Sequence, residues 1–230
     1  MMVTIIDYGI GNLRSIEKAF QAVGVDVLRT DRAEDIERAE RLVLPGVGAF
    51  GACADEIRRR DLETPILEAV ASGKPFLGVC VGMQLLFDES EEMGAHRGLG
   101  ILPGRIVKFA RELVAASGAS CEAAPGTPEW AEAAPEKPLK VPHMGWNRTV
   151  FERSSPLLTG IEDGAYFYFV HSYHAVPDNP ADILASCTYG TAFPAIVERN
   201  NVYGIQFHPE KSQQAGLDIL TNFSMIPAKT

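Results

Sequence analysis

Short apolar runs separated by amphipathic stretches mark the first half of the chain. Four runs predict strands: VTIID (3–7), VDVLR (25–29), RLVLPG (41–46) and PFLGVC (75–80). An apolar stripe at helical spacing follows the first run, formed by Ile16, Ala19, Phe20 and Val23. Two further helices are expected over about 52–60 and 62–72. Buried strands that alternate with helices indicate a parallel, doubly wound sheet.

The second half of the chain carries closely spaced runs rich in β-branched and aromatic residues. They are GRIVKF (104–109), AYFYFVHSYHAV (165–176), DILASC (182–187), PAIVER (194–199) and VYGIQF (202–207). This pattern predicts antiparallel additions to the sheet and a last helix near 214–224. The expected fold class is therefore α/β, with a mixed, mostly parallel central sheet, helices on both faces and antiparallel additions.

The chain shows no linker rich in Gly, Ser or Pro between comparable halves, so residues 1–230 are expected to form a single domain. The segment 111–138 is biased toward Ala, Pro, Glu and Gly. Such a composition supplies little apolar surface for a core. We therefore expect a surface insertion with no chemistry of its own, and Cys121 lies inside it.

Overall charge and composition narrow the class of function. A formal net charge of -9, with 46% hydrophobic and 22% charged residues, is ordinary for a soluble globular protein. The only cluster of basic residues is RRR (58–60), which predicts a solvated helix face, and no nucleic-acid binding is expected. The N-terminal MMVTIIDYG lacks the basic start and long apolar run of a signal peptide. No stretch approaches ~18 apolar residues, so no membrane span is expected.

The cysteines and glycine-rich stretches predict neither a metal nor a cofactor. The 4 cysteines, at positions 53, 80, 121 and 187, show no CxxC spacing, which argues against a disulfide framework or a zinc site. This usage of cysteine favours the reducing cytoplasm. GIGNLRS is not a dinucleotide fingerprint and lacks the lysine of a phosphate-binding P-loop.

One cysteine stands between two glycines where one apolar run ends and another begins. Gly78-Val79-Cys80-Val81-Gly82 has the form of a nucleophile elbow, with Cys in place of Ser, at a predicted strand-to-helix junction. The glycines let strand and helix approach closely, and free N–H groups at the helix start can hold an oxyanion. The alternative is a small buried hydrophobe at the end of a strand.

Among the 5 histidines, His208 has the context of a catalytic base. It lies in YGIQFHPE, at the end of a predicted strand, where an α/β sheet places its site. Glu210 follows two residues on. Because residues i and i+2 of an extended segment point the same way, Glu210 is expected to orient the imidazole. The alternative for HPE is a strand-ending turn with a capping carboxylate.

The segment LPGVGAF (44–50) follows the third predicted strand and offers an oxyanion hole. Gly46 and Gly48 free the backbone, so that the Val47 N–H can point into the site beside the Val81 N–H. A plain turn is the alternative. Because the two glycines flank the Val47 peptide, a flip of this peptide is expected to cost little free energy.

Together these motifs resemble those of the class I, or triad, glutamine amidotransferases. The match consists of PGVG, GVCVGMQLLF and FHPEKS in that order, and it covers nearly the whole chain. The resemblance implies that Cys80 attacks the side-chain amide of glutamine to form a thioester, with His208 as base and then acid and Glu210 orienting it. Val81 stands where Leu is more usual, but the group needed there is the backbone N–H.

The resemblance also implies contacts to glutamine. Gln84 is expected at the amino-acid end of the substrate. Glu92, in DESEEMG, matches the carboxylate that holds the substrate ammonium, although Glu89 and Glu91 keep that assignment open. A solvated acidic loop is the alternative. Backbone contacts are implied at three further positions: Gly48, Ser172 and Tyr173.

Within that family the chain is most similar to the glutaminase subunits of imidazole glycerol phosphate synthase, which act in histidine biosynthesis. The distinguishing stretches are DYGIGNLRS (7–15), PHMGWN (142–147), YFVHSYHAV (168–176) and HPEKSQQAG (208–216). The resemblance implies a heterodimer with a cyclase subunit, a (β/α)8 barrel. That partner uses the ammonia to make imidazole glycerol phosphate and an aminoimidazole carboxamide ribonucleotide.

Four positions match the subunit interface of that enzyme: Asn12, Trp146, Tyr168 and Lys211. Each has a structural alternative. Asn12 also suits a helix N-cap, the two aromatic residues suit a core or its rim, and Lys211 suits a solvated surface. Two other functions compete with the glutaminase subunit. They are a stand-alone γ-glutamyl hydrolase with a cysteine nucleophile and a non-catalytic binding module of the same fold.

Overall fold

The computed structural model describes residues 1–109 and 139–227, so the predicted insertion at 111–138 lies outside the described residues. Strands and helices alternate in the first part of the chain, as the apolar pattern predicts. The strands are β1 (Met2–Ile6), β2 (Asp26–Thr30), β3 (Leu42–Gly46) and β4 (Phe76–Cys80). The helices are α1 (Leu13–Ala22), α2 (Ala33–Arg38), α3 (Phe50–Arg59), α4 (Glu63–Ala71) and α5 (Val81–Gln84). Of these, only the short α2 was not expected.

The buried residues of α1, β3 and β4 follow the apolar patterns predicted from the sequence. Ile16, Ala19 and Phe20 form the buried stripe of α1, and Gly24 follows that helix with a φ of +77°. Every residue of β3 and β4 is buried. Side chains of a strand alternate between the two faces of its sheet, so wholly buried strands require cover on both faces.

Strands dominate the rest of the chain up to a last helix. They are β5 (Phe87–Ser90), β6 (His96–Arg97), β7 (Leu102–Lys108), β8 (His143–Phe151), β9 (Tyr166–His171), β10 (Tyr173–Pro177), β11 (Ile183–Tyr189), β12 (Thr191–Arg199) and β13 (Val202–Ile205). The helix is α6 (Gln213–Met225), which packs against α1. The helix was expected, whereas β5, β6 and β8 were not.

A nine-stranded sheet carries the site, in the order β2-β1-β3-β4-β13-β12-β11-β8-β9. The strands from β2 to β13 in that order pair in parallel, and the remaining pairs are antiparallel. The mixed α/β class is thus confirmed. One detail differs from expectation, because β13 extends the parallel part beside β4 rather than the antiparallel part. The carboxyl ends of β3, β4 and β13 therefore meet at one edge.

A second sheet has four strands, in the order β10-β7-β5-β6. Two of them, β7 and β10, come from runs that were predicted to add to the central sheet. The run AYFYFVHSYHAV does not form one strand. It divides at Ser172 into β9, which pairs with β8 in the large sheet, and β10, which pairs with β7 in the small sheet. The local pattern of both pieces is that of a strand, so only the long-range pairing separates them. The division places Ser172 between the two sheets and makes Tyr173 the first residue of β10.

Candidate active site

Cys80 ends β4 in a conformation that few residues other than glycine adopt. Its φ is +55° and its ψ is -113°, and α5 begins at the next residue. A side chain in this region of φ and ψ costs on the order of 1–3 kcal/mol, and such strain clusters at functional sites. The structure therefore contains the tight strand-to-helix turn that the sequence predicts, with the thiol at the carboxyl edge of the sheet.

The glycines on either side of Cys80 are required by close backbone approach. A Cβ atom on Gly82 would lie 1.8 Å from the Leu44 carbonyl oxygen. A Cβ atom on Gly78 would lie 2.5 Å from the Gly82 carbonyl oxygen. Both distances are far below van der Waals contact, so only glycine fits. This packing brings the start of α5 against the end of β3.

His208 comes to Cys80 because β13 and β4 are parallel neighbours. Ile205 pairs with Val79, so the residues that follow each strand emerge at the same edge. Nδ1 of His208 lies 3.0 Å from Oε1 of Glu210. That bond occupies Nδ1 of His208, and Cys80 lies close enough to the ring to raise its pKa.

The backbone conformation that brings Glu210 to His208 is not the one that the sequence predicted. Pro209–Lys211 forms a 3₁₀ turn, whereas the prediction assumed an extended segment. The expected pairing of the two side chains is present, but the alternation of an extended chain is not its cause. Pro209 favours the turn because its φ is fixed near -65°. The turn folds the carboxylate back onto the imidazole.

Burial and neighbouring charges shift the pKa values of His208 and Glu210 in opposite directions. Burial alone would lower the pKa of His208, but the hydrogen bonds and charges of Cys80 and Glu210 raise it to about 10. Burial would raise the pKa of Glu210, whereas His208 and the Asn12 amide lower it. The net effect favours an imidazolium ion held between a sulfur and a carboxylate.

The oxyanion segment, LPGVGAF (44–50), lies beside the turn at Cys80 because β3 and β4 are paired strands. Gly46 pairs with Cys80, so Val47 and Val81 follow side by side. A Cβ atom on Gly46 would lie 2.6 Å from the Gly82 nitrogen, which makes glycine necessary for this approach. Gly48 has a φ of +88°, in the left-handed region that favours glycine.

A cavity of about 530 Å³ opens over these groups. It is lined by the predicted residues Asn12, Val47, Gly48, Cys80, Val81, Gln84, Glu92, Ser172, Tyr173, His208 and Lys211. Pro142, Val170 and His171 complete the lining and were not predicted. Glu210 does not line the cavity and contacts His208 from behind. One concave site therefore gathers residues from distant parts of the chain.

The structure distinguishes among the acidic residues of DESEEMG. Glu92 lines the cavity, and its Oε2 accepts a 2.6 Å hydrogen bond from the Phe50 N–H at the start of α3. Oε1 of Glu91 accepts a 2.8 Å hydrogen bond from the Lys108 N–H. Neither Glu91 nor Glu89 is part of the cavity lining. The geometry thus favours Glu92 as the carboxylate that faces a ligand.

Gln206 is a site residue that the sequence analysis missed. Its side chain is buried, its Nε2 lies 3.9 Å from the Cys80 sulfur, and its Oε1 accepts a 3.0 Å bond from Gln84 Nε2. Gln84 Nε2 also donates to the Tyr173 carbonyl oxygen at 3.1 Å. The available signal was alternation, because Gln206 precedes His208 by two residues at the end of one strand.

A pair of buried histidines supports the cavity wall and was also missed. Nδ1 of His143 lies 2.9 Å from Nε2 of His171, whose Nδ1 lies 2.9 Å from the Tyr173 carbonyl oxygen. Since that carbonyl only accepts, His171 donates from Nδ1 and accepts from His143. Burial lowers the pKa of His143 to about 4, and burial and His143 lower that of His171.

Comparisons with known proteins agree with this geometry. The model of the family "Glutamine amidotransferase class-I" matches residues 4–226. The chain is 56% identical to the imidazole glycerol phosphate synthase subunit HisH of Salinibacter ruber, over 98% of this chain and 95% of that protein. It is 48% identical to HisH of Syntrophotalea carbinolica, over 96% of this chain and 98% of that protein.

This chain belongs to the class-I glutamine amidotransferase family. Among solved structures, PurLQS from Thermotoga maritima aligns with a TM-score of 0.65 at 16% identity, covering 97% of each chain. At that identity the likeness shows the fold alone. In this amidotransferase, no described helix is long and apolar enough to cross a membrane. Residues 1–109 and 139–227 place no group of three or more His, Cys, Asp or Glu side chains to hold a metal.

Of the four predicted interface residues of this amidotransferase, Asn12 and Lys211 line the cavity, and Tyr168 and Trp146 lie next to Lys211. Trp146 is 40% exposed and lies opposite Tyr168 across the β8–β9 pair, with ring centroids 6.0 Å apart. Lys211 Nζ lies 5.3 Å from the centre of the Tyr168 ring. Asn12 occupies the N-cap position of α1, but its side chain does not cap that helix. Its Nδ2 donates instead to Oε1 of Glu210 at 3.2 Å.

Proposed function

We propose that this chain, as a single domain, hydrolyses glutamine to glutamate and ammonia as the HisH subunit of imidazole glycerol phosphate synthase. The observation that carries the proposal is the meeting of Cys80, His208 and Glu210 at one edge of the sheet, in a cavity of about 530 Å³. The HisH relatives, at 56% and 48% identity over nearly the whole chain, support the choice of subunit.

Catalysis begins with the sulfur of Cys80, whose proton is held by His208. The sulfur bonds to the side-chain carbonyl carbon of glutamine, and the carbonyl electron pair moves to oxygen. The backbone N–H groups of Val47 and Val81 stabilise that oxyanion. The C–N bond then breaks, His208 gives its proton to the departing nitrogen, and ammonia leaves behind a γ-glutamyl thioester on Cys80.

Water completes the cycle. It adds to the thioester carbonyl while His208 takes its proton, and collapse of the second oxyanion breaks the C–S bond. Glutamate leaves and Cys80 returns to its starting state. Glu210 keeps the imidazole oriented and stabilises its cation throughout. The high pKa of His208, about 10, supports this role because it favours the protonated ring that the departing amine requires.

Other residues that line the cavity hold the amino-acid end of glutamine. The carboxylate of Glu92 pairs with the substrate ammonium, and Phe50 N–H keeps that carboxylate in place. Gln84 contacts the same end of the substrate, with its amide fixed by Gln206 and by the Tyr173 carbonyl. Backbone groups complete the contacts at Gly48, Ser172 and Tyr173.

The ammonia passes to a cyclase subunit with a (β/α)8 barrel, which forms a heterodimer with this chain in the cytoplasm. Ammonia released into water near neutral pH becomes mostly ammonium, a poor nucleophile, so a closed path between the subunits preserves its reactivity. The partner contacts Asn12, Trp146, Tyr168 and Lys211. These four residues form the proposed docking face. Asn12 and Lys211 also line the cavity, which supports this assignment because the docking face then adjoins the active site.

Ammonia release by the complex with the cyclase subunit tests the proposal. Cys80→Ala is expected to reduce glutamine turnover by roughly a thousandfold or more without preventing assembly. Cys187→Ala is the matched control, because that residue is also buried but lies in β11, away from the cavity. Wild-type turnover by Cys80→Ala would contradict the proposed nucleophile. Fast cleavage of γ-glutamyl peptides by a chain that does not bind the cyclase would contradict the proposed subunit role.

A further inference from the structure

Ser212 occupies a helix N-cap position but does not cap the helix. It precedes α6, where a serine hydroxyl ordinarily accepts a bond from an N–H of the first turn. Here the residue is 1% exposed and its side chain makes no such bond. Its Oγ donates instead to the His208 carbonyl oxygen at 2.7 Å and accepts from the Tyr168 N–H at 3.0 Å.

These contacts close a ring of hydrogen bonds between the proposed base and a strand of the large sheet. The His208 N–H donates to the Tyr168 carbonyl oxygen at 2.9 Å. The N–H and C=O of Tyr168 are therefore both linked to His208, one directly and one through Ser212. The His208 carbonyl oxygen also accepts from the Lys211 N–H at 3.1 Å, within the 3₁₀ turn. Among residues 1–109 and 139–227, the Ser212 hydroxyl alone connects that carbonyl to β9.

His208 depends on such anchors because it lies beyond the regular sheet. β13 ends at Ile205, and the last bond to a neighbouring strand of its ladder runs from the Gln206 N–H to the Ala195 carbonyl oxygen of β12 at 2.9 Å, two residues before His208. Two bonds to β9 replace that ladder, and the serine supplies one of them. The strand they reach also carries the Tyr168 ring, which lies beside Trp146 and under Lys211 on the proposed docking face.

We propose that Ser212 is a positioning residue, which fixes the backbone of His208 to β9 and thereby ties the catalytic imidazole to the face that the partner subunit contacts. The inference rests on the proposed function, since it takes His208 as the base. Ser212 touches no reacting atom. Its loss lets the imidazole drift from the geometry needed to take and return a proton, and a shift of this kind near 1 Å costs about a hundredfold in rate.

The experiment compares three variants in the complex with the cyclase subunit. Ser212→Ala removes the hydroxyl, and Ser212→Thr retains it. Ser224→Ala is the matched control, since Ser224 is fully buried in the same helix and its Oγ donates to the Thr221 carbonyl at 2.7 Å, away from the site. The measurements are kcat and KM for glutamine, the melting temperature, and the rate at which iodoacetamide alkylates Cys80, followed by peptide mass spectrometry.

The expected result is selective. Ser212→Ala lowers kcat by about tenfold to a hundredfold with KM for glutamine within about twofold, and it slows alkylation of Cys80. Ser212→Thr restores most of kcat, and Ser224→Ala shifts only the melting temperature. If Ser212→Ala does not fold, Ser212→Cys keeps the shape of the side chain with weaker hydrogen bonds and is expected to show the same loss of kcat.

Three outcomes overturn the inference. They are wild-type kcat in Ser212→Ala or its cysteine substitute, an equal loss of kcat in Ser224→Ala, and failure of the threonine variant to recover any activity. The proposed function is tested separately by Cys80→Ala in the same assay. If Cys80→Ala is inactive while Ser212→Ala has wild-type kcat, the positioning role fails and the proposed function stands. If Cys80→Ala is fully active, the proposed function itself fails.

Discussion

The side-chain amide of Asn12 donates a hydrogen bond to Oε1 of Glu210 at 3.2 Å, and the same oxygen lies 3.0 Å from Nδ1 of His208. Asn12 also lines the cavity. A residue that the sequence placed at a subunit interface or at a helix cap therefore contacts the proposed triad directly. It holds the carboxylate that orients the imidazole, and it does so from the N-terminal end of α1.

Replacement of Asn12 is expected to weaken catalysis rather than substrate binding. Asn12→Ala removes a donor to a charged acceptor, and we expect a loss in kcat of about tenfold with KM little changed. Asn12→Asp is expected to lose more, because a second carboxylate beside Glu210 raises the pKa of both. Gln21→Ala, at the exposed far end of α1, is the control. Steady-state kinetics of the complex measure both constants, and higher activity in the aspartate variant than in the alanine variant would contradict this account.

The Tyr8 hydroxyl is expected to support the oxyanion segment. It donates a 2.8 Å hydrogen bond to the Pro45 carbonyl oxygen, while the Cys53 thiol lies 3.5 Å from the Val47 carbonyl oxygen. The two buried donors thus hold the carbonyls on either side of the Gly46 carbonyl. Tyr8→Phe leaves the Pro45 carbonyl without this donor, and we expect kcat to fall about threefold to tenfold with KM unchanged.

Tyr203→Phe is the matched control for Tyr8→Phe, because Tyr203 is buried near the opposite end of the parallel strands. It is expected to leave kcat at the wild-type value. Both variants can be compared by ammonia release from glutamine in the complex. A fall in kcat shared equally by the two would show that the Tyr8 effect reflects general stability and not the oxyanion segment.

Substitution of the elbow glycine Gly82 is expected to destabilise the fold strongly. A Cβ atom on Gly82 would lie 1.8 Å from the Leu44 carbonyl oxygen, so Gly82→Ala requires backbone movement and is expected to lower the free energy of unfolding by more than about 4 kcal/mol. Gly24→Ala meets no atom within 4 Å and strains only a φ of +77°, which costs about 1 kcal/mol. Urea unfolding compares the two, and equal losses would refute the steric argument.

Local apolar pattern was sufficient to predict the parallel half of the fold. The runs that became β1, β3 and β4 are nearly all apolar because both faces of the sheet are covered there. The strand β8 was missed because its buried positions carry polar residues such as His143 and Asn147, whereas the apolar Met144 and Trp146 are exposed. Strand pairing could not be predicted either, since nothing in the local sequence AYFYFVHSYHAV indicates that the chain passes from the large sheet to the small one at Ser172.

The candidate site was predictable where a motif specifies a backbone shape. The Gly-x-Cys-x-Gly pattern predicts a tight turn in which strand and helix approach closely, and the structure has such a turn at Cys80. No motif marks Gln206 or the His143–His171 pair: Gln206 is indicated only by its spacing from His208, and the histidine pair depends on the pairing of β8 with β9. The orientation of Glu210 was expected for the wrong reason, since a 3₁₀ turn rather than an extended chain sets it.

Acid is expected to destabilise the protein through His143. Burial lowers the pKa of this histidine from 6.5 to about 4, so between these values the unfolded chain holds a proton that the folded chain excludes. The free energy of unfolding therefore falls as pH falls through this window, by on the order of 3 kcal/mol from this group. His143→Asn is expected to be less stable at neutral pH but to show a shallower decline. Urea unfolding between pH 7 and 4 measures both slopes, and parallel slopes would contradict the assignment.

The most direct test of the account is a search for the γ-glutamyl thioester. The complex with the cyclase subunit is mixed with isotopically labelled glutamine, quenched in acid within one turnover, digested and examined by mass spectrometry. The account predicts the γ-glutamyl group on the peptide that contains Cys80, and its absence when His208 is replaced by alanine. Continued turnover of labelled glutamine by Cys80→Ala, or a γ-glutamyl group carried by a different residue, would contradict it.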